Sequence, residues 1–214
     1  MTHQYRLPSK LFVTGTGTDI GKTLVSAVLM AGTRGCYWKP IQSGIEETTD
    51  TQWIKAVTGL PENHFWPECY RLHQPLSPHA AAALDGVHID LAAIRLPVSK
   101  LSQHLIVEGA GGLMVPLNEH HFMLDVIIQC QLPVLLVAAS GLGTINHTLL
   151  SLEMLRRHHI EIAGVVLNGP LNPSNRHAIE YYGQTSVVAQ IEPLPLVNAS
   201  VLQRLFIDHF GVCA

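Results

Sequence analysis

The chain has 214 residues, 47% of them hydrophobic and 14% charged, with a formal net charge of −3 at pH 7. That is the size of one α/β domain with a sizeable core, and it lacks the basic surplus of a nucleic-acid or acidic-membrane binder. Cys36, Cys69, Cys130 and Cys213 lie far apart with no C-x-x-C spacing, which reads as reduced thiols in a cytoplasmic protein. The N-terminus shows no signal-peptide apolar region, and no apolar run nears the ~20 residues of a membrane span. Among 13 histidines the only adjacent pairs are His120-His121 and His158-His159, neither of which makes a His-x3-His metal pair.

In chain order, Leu11 to Val13 is a short apolar run that reads as a buried strand. Gly15, Gly17 and Gly21 follow. After Lys22-Thr23 comes a helical apolar pattern of Leu24, Val25, Ala27, Val28 and Leu29. Strand, glycine loop, Gly-Lys-Thr and helix form a phosphate-binding loop. Glycines let backbone N–H groups converge, and the helix start adds the positive end of its dipole. Lys22 is expected on the β/γ-phosphates and the Thr23 hydroxyl on Mg²⁺. The loop is a variant, because the position of the usual first glycine is Thr16, with Gly15 and Gly17 on either side.

Cys36 to Pro40 reads as a second strand and Ile41 to Gly44 as a loop at its end. A helix is expected over 51–58, started by Asp50 as an ordinary N-cap and closed by Gly59-Leu60-Pro61. Residues 61–78 hold four prolines and no period, and so read as irregular. Ser77-Pro78 opens a helix running to Leu84, and residues 90–101 are partly helical around Pro97.

From there strands and helices alternate. Leu105 to Glu108 is a buried strand, Gly109 to Gly112 a glycine loop, and 123–130 a helix. A strand at 133–139, a loop at 140–143, and a helix at 145–158 follow. The chain ends with a strand (162–167), a helix (175–182), a strand (186–191) and a helix (201–210). This alternation predicts a single α/β domain, a mostly parallel central sheet with helices on both faces.

Ligands bind at the carboxyl ends of strands in such sheets. Those ends carry the phosphate loop, Lys39 and Ser43, Glu108 and Asn168. Glu108 stands where a phosphate-loop protein places the acid that holds Mg²⁺. Lys39 is a second cation near Lys22, and two lysines on one phosphoryl site suit an enzyme that stabilises transition-state charge. The other duty open to Lys39 is to reach solvent past the sheet edge.

Five stretches in order now carry a resemblance: Val13-Thr-Gly-Thr-Gly-Thr-Asp-Ile-Gly-Lys-Thr23, Tyr37-Trp-Lys-Pro-Ile-Gln-Ser-Gly44, Leu76-Ser-Pro-His79, Val107-Glu-Gly-Ala-Gly-Gly112, and Gly143-Thr-Ile-Asn-His147 with Val166-Leu-Asn168 beyond it. Over nearly its whole length the chain resembles the dethiobiotin synthetases, a P-loop NTPase-type family. The resemblance implies ATP, Mg²⁺, CO₂ and 7,8-diaminononanoate as reactants and cofactor, and dethiobiotin, ADP and phosphate as products. It implies catalytic duties for Lys39, Lys22 and Thr18. Asp19, Ile20, Gly21, Lys22, Thr23 and Leu24 would hold the phosphates, and Thr23, Asp50 and Glu108 the metal.

The turn Glu108-Gly109-Ala110-Gly111 would lie against nucleotide and substrate, and Ser43 against the diamine or carbamate. Asn168 and Gly169 would read the adenine edge, bordered by Glu192, Pro193 and Leu194. The resemblance further implies a homodimer in which Gly143, Thr144, Ile145 and Asn146 of one subunit hold the substrate's tail carboxylate of the other. A helix cap is the other duty open to Asn146. Either Tyr181 or Tyr182 matches a family tyrosine near that carboxylate.

The chain departs from the family pattern at the short link Met30 to Cys36, at Gly17, where an acid is common, and at Ala189-Gln-Ile-Glu-Pro193. Two other readings compete. A cobyrinate-type amidoligase shares the loop, but such chains carry a further glutamine-hydrolysing domain for which 214 residues leave no room. A partition or cell-division ATPase carries an extra lysine at the loop start, where this chain has Gly15-Thr-Gly-Thr18.

Overall fold

The computed structural model describes residues 5–97 and 104–211. Its frame is a seven-stranded, all-parallel sheet in the order β4-β2-β6-β1-β7-β8-β9. The strands are β1 (Lys10–Gly15), β2 (Cys36–Trp38), β4 (Phe65–Trp66), β6 (Leu105–Gly112), β7 (Val134–Ala139), β8 (Ile162–Asn168) and β9 (Val187–Ile191). Two short strands, β3 (Ile41–Ser43) and β5 (Tyr70–Leu72), pair in parallel as a separate ribbon.

Strand periodicity feeds two cores. Leu11, Val13, Tyr37, Ile106, Leu135 and Val137 point to one face, against α1 (Lys22–Thr33), α2 (Asp50–Thr58) and α7 (Ala199–Phe210). Phe12, Trp38, Val107, Val134 and Leu136 point to the other. There they meet α3 (Pro78–Leu84), α4 (Met123–Cys130), α5 (Thr144–Arg157) and α6 (Pro173–Gly183). A strand buried on both faces reads as a continuous apolar run, which is why β7 holds no polar residue and β1 is apolar from Leu11 to Val13. Helix α1 lies in the middle of its layer and packs on α7 at Gly32, where an added Cβ would stand 1.9 Å from the Phe206 ring.

Caps set the helix boundaries. Thr49 caps α2, accepting from the Gln52 N–H while the Gln52 side chain accepts from Thr49 N, a reciprocal capping box. Asp50 is therefore the first helical residue rather than the expected cap, and its carboxylate is free for other work. Asn172 caps α6, with Pro173 in the first turn, and Asn198 caps α7.

Four expectations need correction. Residues 41–43 form β3 rather than a loop, and the proline-rich stretch 61–78 holds β4 and β5. Residues 109–112 continue β6 instead of turning, with Gly112 beside Gly15 of β1. The expected helix over 90–101 is a single 3-10 turn at Leu91–Ala93, and its end falls outside the described residues. Among the described residues no helix is long and apolar enough to cross a membrane.

Candidate active site

The carboxyl ends of β1, β2 and β6 meet at a cleft of about 800 Å³. Thr18, Asp19, Gly21, Lys22 and Thr23 line one side; Lys39, Ser43 and Asp50 line another; Glu108, Ala110 and Gly111 form the floor end. The far wall is Pro75 to Pro78 with Val115.

The loop between β1 and α1 closes with Gly21 at φ +94°, a left-handed conformation that disfavours any Cβ. A side chain there would also stand 2.1 Å from the Asn168 amide. Asn168, at the end of β8, donates to Ile20 O at 3.0 Å and so ties the loop to a second strand. Lys22 folds back on the loop, Nζ to Gly17 O at 2.8 Å. The residue is 7% exposed, and burial, then repulsion from Lys39, pulls its pKa from 10.5 down to about 8.

Lys39 has the opposite environment. It is buried, yet its ammonium lies 3.1 Å from Asp50 Oδ2 and 3.1 Å from Glu108 Oε1. Burial alone would lower its pKa, but Glu108 and then Asp50 outweigh that and hold it above the ordinary lysine value. Burial likewise opposes the charge on Asp50, and Lys39 with the Thr23 hydroxyl reverses this, so the Asp50 carboxyl sits below its usual range. Thr23 Oγ1 donates to Asp50 and lies 3.2 Å from Glu108 Oε1. The register explains this convergence. Trp38 of β2 pairs with Val107 of β6, so the next residues lie side by side, Lys39 just past the end of β2 and Glu108 within β6.

Three side chains outside the expected set complete the cluster. The Tyr37 hydroxyl donates to Glu108 Oε2 at 3.1 Å, and burial, then the Glu108 charge, pushes its pKa well above 10. Gln42 accepts from Asp50 N at 3.3 Å and donates to Ser43 O at 2.7 Å, which links the β3 ribbon to α2. Glu47 lines the cleft mouth. A period-two count back from Lys39 puts Tyr37 on the same face, and that was the signal available in the sequence. The Ser43 hydroxyl oxygen is buried in the same wall and has no hydrogen-bond partner among the described residues.

The remaining expected residues lie outside the cleft wall. Ile20 and Leu24 pack behind the loop. Gly109 contributes its carbonyl, 3.5 Å from Lys39 Nζ. Gly169 N donates to Ile191 O at 2.8 Å, which sets Glu192, Pro193 and Leu194 beside Asn168 along the ends of β8 and β9. Gly143 holds the cap position of α5 at φ +89°, so Asn146 is not the cap. Thr144 and Ile145 begin that helix, away from this chain's own cleft, next to the fully exposed Leu142.

A parallel sheet whose first strand enters a glycine loop and a Gly-Lys-Thr helix start, with an acid on the adjacent strand, defines a P-loop nucleotide-binding domain. Residues 9–201 match a family model described as "AAA domain". The protein from Paramagnetospirillum magneticum called ATP-dependent dethiobiotin synthetase BioD is 49% identical over 91% of this chain and 93% of its own length. A relative of the same name from Rhodopseudomonas palustris is 42% identical over 95% of both chains. The chain belongs to the ATP-dependent dethiobiotin synthetase family. Its fold also matches the MinC:MinD cell division protein complex of Aquifex aeolicus, with a TM-score of 0.57 over 94% of this chain and 88% of that one, at 12% identity. That likeness is one of fold alone.

Proposed function

We propose that the protein closes the ureido ring of dethiobiotin from 7,8-diaminononanoate, CO₂ and ATP, releasing ADP and phosphate. The observation that carries this reading is Lys39. It is a buried ammonium held by two carboxylates in the same cleft as the phosphate loop and a serine hydroxyl with no partner among the described residues.

One amine of the substrate adds to CO₂ and loses a proton to give a carbamate. Lys39 and Lys22 lie where the carbamate and the γ-phosphoryl group would meet, and the Ser43 and Thr18 hydroxyls where the carbamate or diamine would be held. The carbamate oxygen takes the γ-phosphoryl group, and ADP leaves. The second amine attacks the carbonyl carbon of the mixed anhydride, phosphate departs with the oxygen, the amine gives up a proton to phosphate or water, and the ring closes. The lysines act on charge that develops on transferring oxygens, where fixed positive groups in a dry site contribute most.

The donor set also suits Mg²⁺. Asp50, Glu108 and Thr23 present hard oxygens around one point, and Mg²⁺ takes one or two carboxylates together with phosphate oxygens. Those three residues would hold the ion, and it would neutralise charge on the β- and γ-phosphates. Asn168 and Gly169, with Glu192, Pro193 and Leu194, stand where a base attached to those phosphates would extend. The N-terminus of α5, Gly143 to Asn146, offers the positive end of a helix dipole to a carboxylate, although the Thr144 N–H already donates to Gly141 O at 3.3 Å. It does not line its own cleft, and exposed Leu142, Leu150, Tyr181 and Tyr182 lie on α5, α6 and the turn before α5. These features support a homodimer in which this segment of a second copy holds the substrate's tail.

Measuring ADP release with ATP, Mg²⁺ and bicarbonate, with and without the diamine, tests this. Turnover should depend on the diamine and yield dethiobiotin. Hydrolysis of ATP at the same rate without the diamine would overturn the assignment.

A further inference from the structure

We infer that Tyr37 is a positioning residue that sets which oxygen of Glu108 the active site uses. The inference rests on the reading of Glu108 as a metal-holding carboxylate. Tyr37 is fully buried in β2, and its ring packs edge-on against Phe65 at 6.2 Å. Its backbone partner on β6 is Ile106, two residues before Glu108 on the same strand face. That diagonal offset is within reach of a tyrosine, and the hydroxyl meets Glu108 Oε2 at 3.1 Å.

The two oxygens of Glu108 therefore have separate duties. Oε2 takes the phenol. Oε1 faces Lys39 at 3.1 Å and Thr23 at 3.2 Å, the point where Asp50 also converges. A buried carboxylate oxygen with no donor is costly. Without the phenol, Glu108 lowers that cost by rotating to bring both oxygens toward Lys39, which moves Oε1 off the point shared with Thr23 and Asp50. Tyr37 does not itself line the cleft, and its hydrogen bond to the site is the one to Glu108. Partners that orient a metal-holding group typically change metal affinity or activity by about 10- to 100-fold when removed.

Tyr37→Phe keeps the ring and its packing and removes only the hydroxyl. The test is calorimetric titration of ADP into the full-length protein at a series of Mg²⁺ concentrations, and again in EDTA. The variant should bind ADP in EDTA as the wild type does, and need about tenfold more Mg²⁺ to reach the tight-binding form. In a Glu108→Gln background, adding Tyr37→Phe should change the Mg²⁺ requirement no further, a non-additivity that general loosening of the core does not produce. An unchanged Mg²⁺ requirement in Tyr37→Phe, or full additivity with Glu108→Gln, overturns the positioning role and leaves the ring-closing assignment intact. A wild type whose ADP affinity ignores Mg²⁺ overturns both this role and the metal-holding reading.

Discussion

Lys22 and Lys39 are both buried, both at the mouth of one cleft, and opposite in character. Lys22 sits on the phosphate loop with the carbonyl of Gly17 as its hydrogen-bond partner among the described residues, and its pKa falls to about 8. Lys39 emerges from β2 between Asp50 and Glu108, and its pKa rises. The loop thus presents a cation with little holding it in place, ready to be drawn to an incoming polyphosphate. The strand ends present a cation already neutralised, fixed in position and balanced against two acids. Burial is common to both, so it is the partner set that decides which lysine is part of a finished network and which waits for its counter-charge.

Replacing Lys39 should have the largest effect. Lys39→Met keeps most of the volume but leaves Asp50 and Glu108 facing each other without a cation. Removing one member of a buried charge network typically costs about 3–5 kcal/mol, read here as a fall in the midpoint of chemical denaturation in EDTA. Turnover should drop by about 10²–10³-fold, the usual loss for one preorganised donor at developing charge. The variant should also gain more stability from added Mg²⁺ than the wild type does, because a divalent ion would then relieve the exposed pair of acids. A stability loss below about 1 kcal/mol would mean the two carboxylates share a proton and the contrast between the lysines is weaker than drawn.

Lys22 gives the second effect, with a definite sign in pH. Its folded-state pKa of about 8 lies below the ordinary value of 10.5. Between those pH values the unfolded chain holds the proton that the folded chain has lost. Stability of the metal-free, nucleotide-free protein therefore rises as pH goes from about 8 to about 10.5, by up to about 3 kcal/mol. Below pH 8 both states carry the proton and the penalty is fully present. Lys22→Met should be more stable than the wild type near pH 7 and should lack this rise. Urea titrations of the two proteins across the window measure it. A bound nucleotide would remove the effect in the wild type by supplying the missing counter-charge.

How far the sequence carries this contrast depends on which contacts are local. The alternation of strands and helices, the glycine loop with Lys22 after it, and the placing of Lys39 and Glu108 directly after apolar strand runs are all legible, since each follows from periodicity within one segment. The β3–β5 ribbon was not, because a pair of three-residue strands flanked by prolines leaves no period to detect. Gly109 to Gly112 read as a loop because glycine weakens strands. Here it allows close approach, as a Cβ on Gly112 would lie 3.2 Å from Gly15 O. The hydrogen bond from Tyr37 to Glu108 spans 71 residues and depends on the register of β2 against β6. The position of Asp50 depended on a single residue, since Thr49 takes the cap and leaves the acid to face Lys39.

The smallest expected effect comes from a third lysine, on the same helix as Asp50. Lys55 lies in the last turn of α2 and pairs with Glu62, both side chains well exposed at 43% and 76%. It meets the same charge type as Lys39, in water. Solvent screens the pair, holding two long side chains together costs entropy, and such pairs contribute about 0–1 kcal/mol. Lys55→Ala should therefore shift the denaturation midpoint by less than about 0.5 kcal/mol equivalent and leave diamine-dependent turnover at the wild-type level. What remains of the effect should fade as salt is raised, since exposed charges are the ones salt screens. The loss in Lys39→Met should largely persist, because the Lys39 and Glu108 side chains are only 6% and 1% exposed. A Lys55→Ala variant as damaged as Lys39→Met would show that proximity to an acid, and not burial among acids, is what makes a lysine matter in this protein.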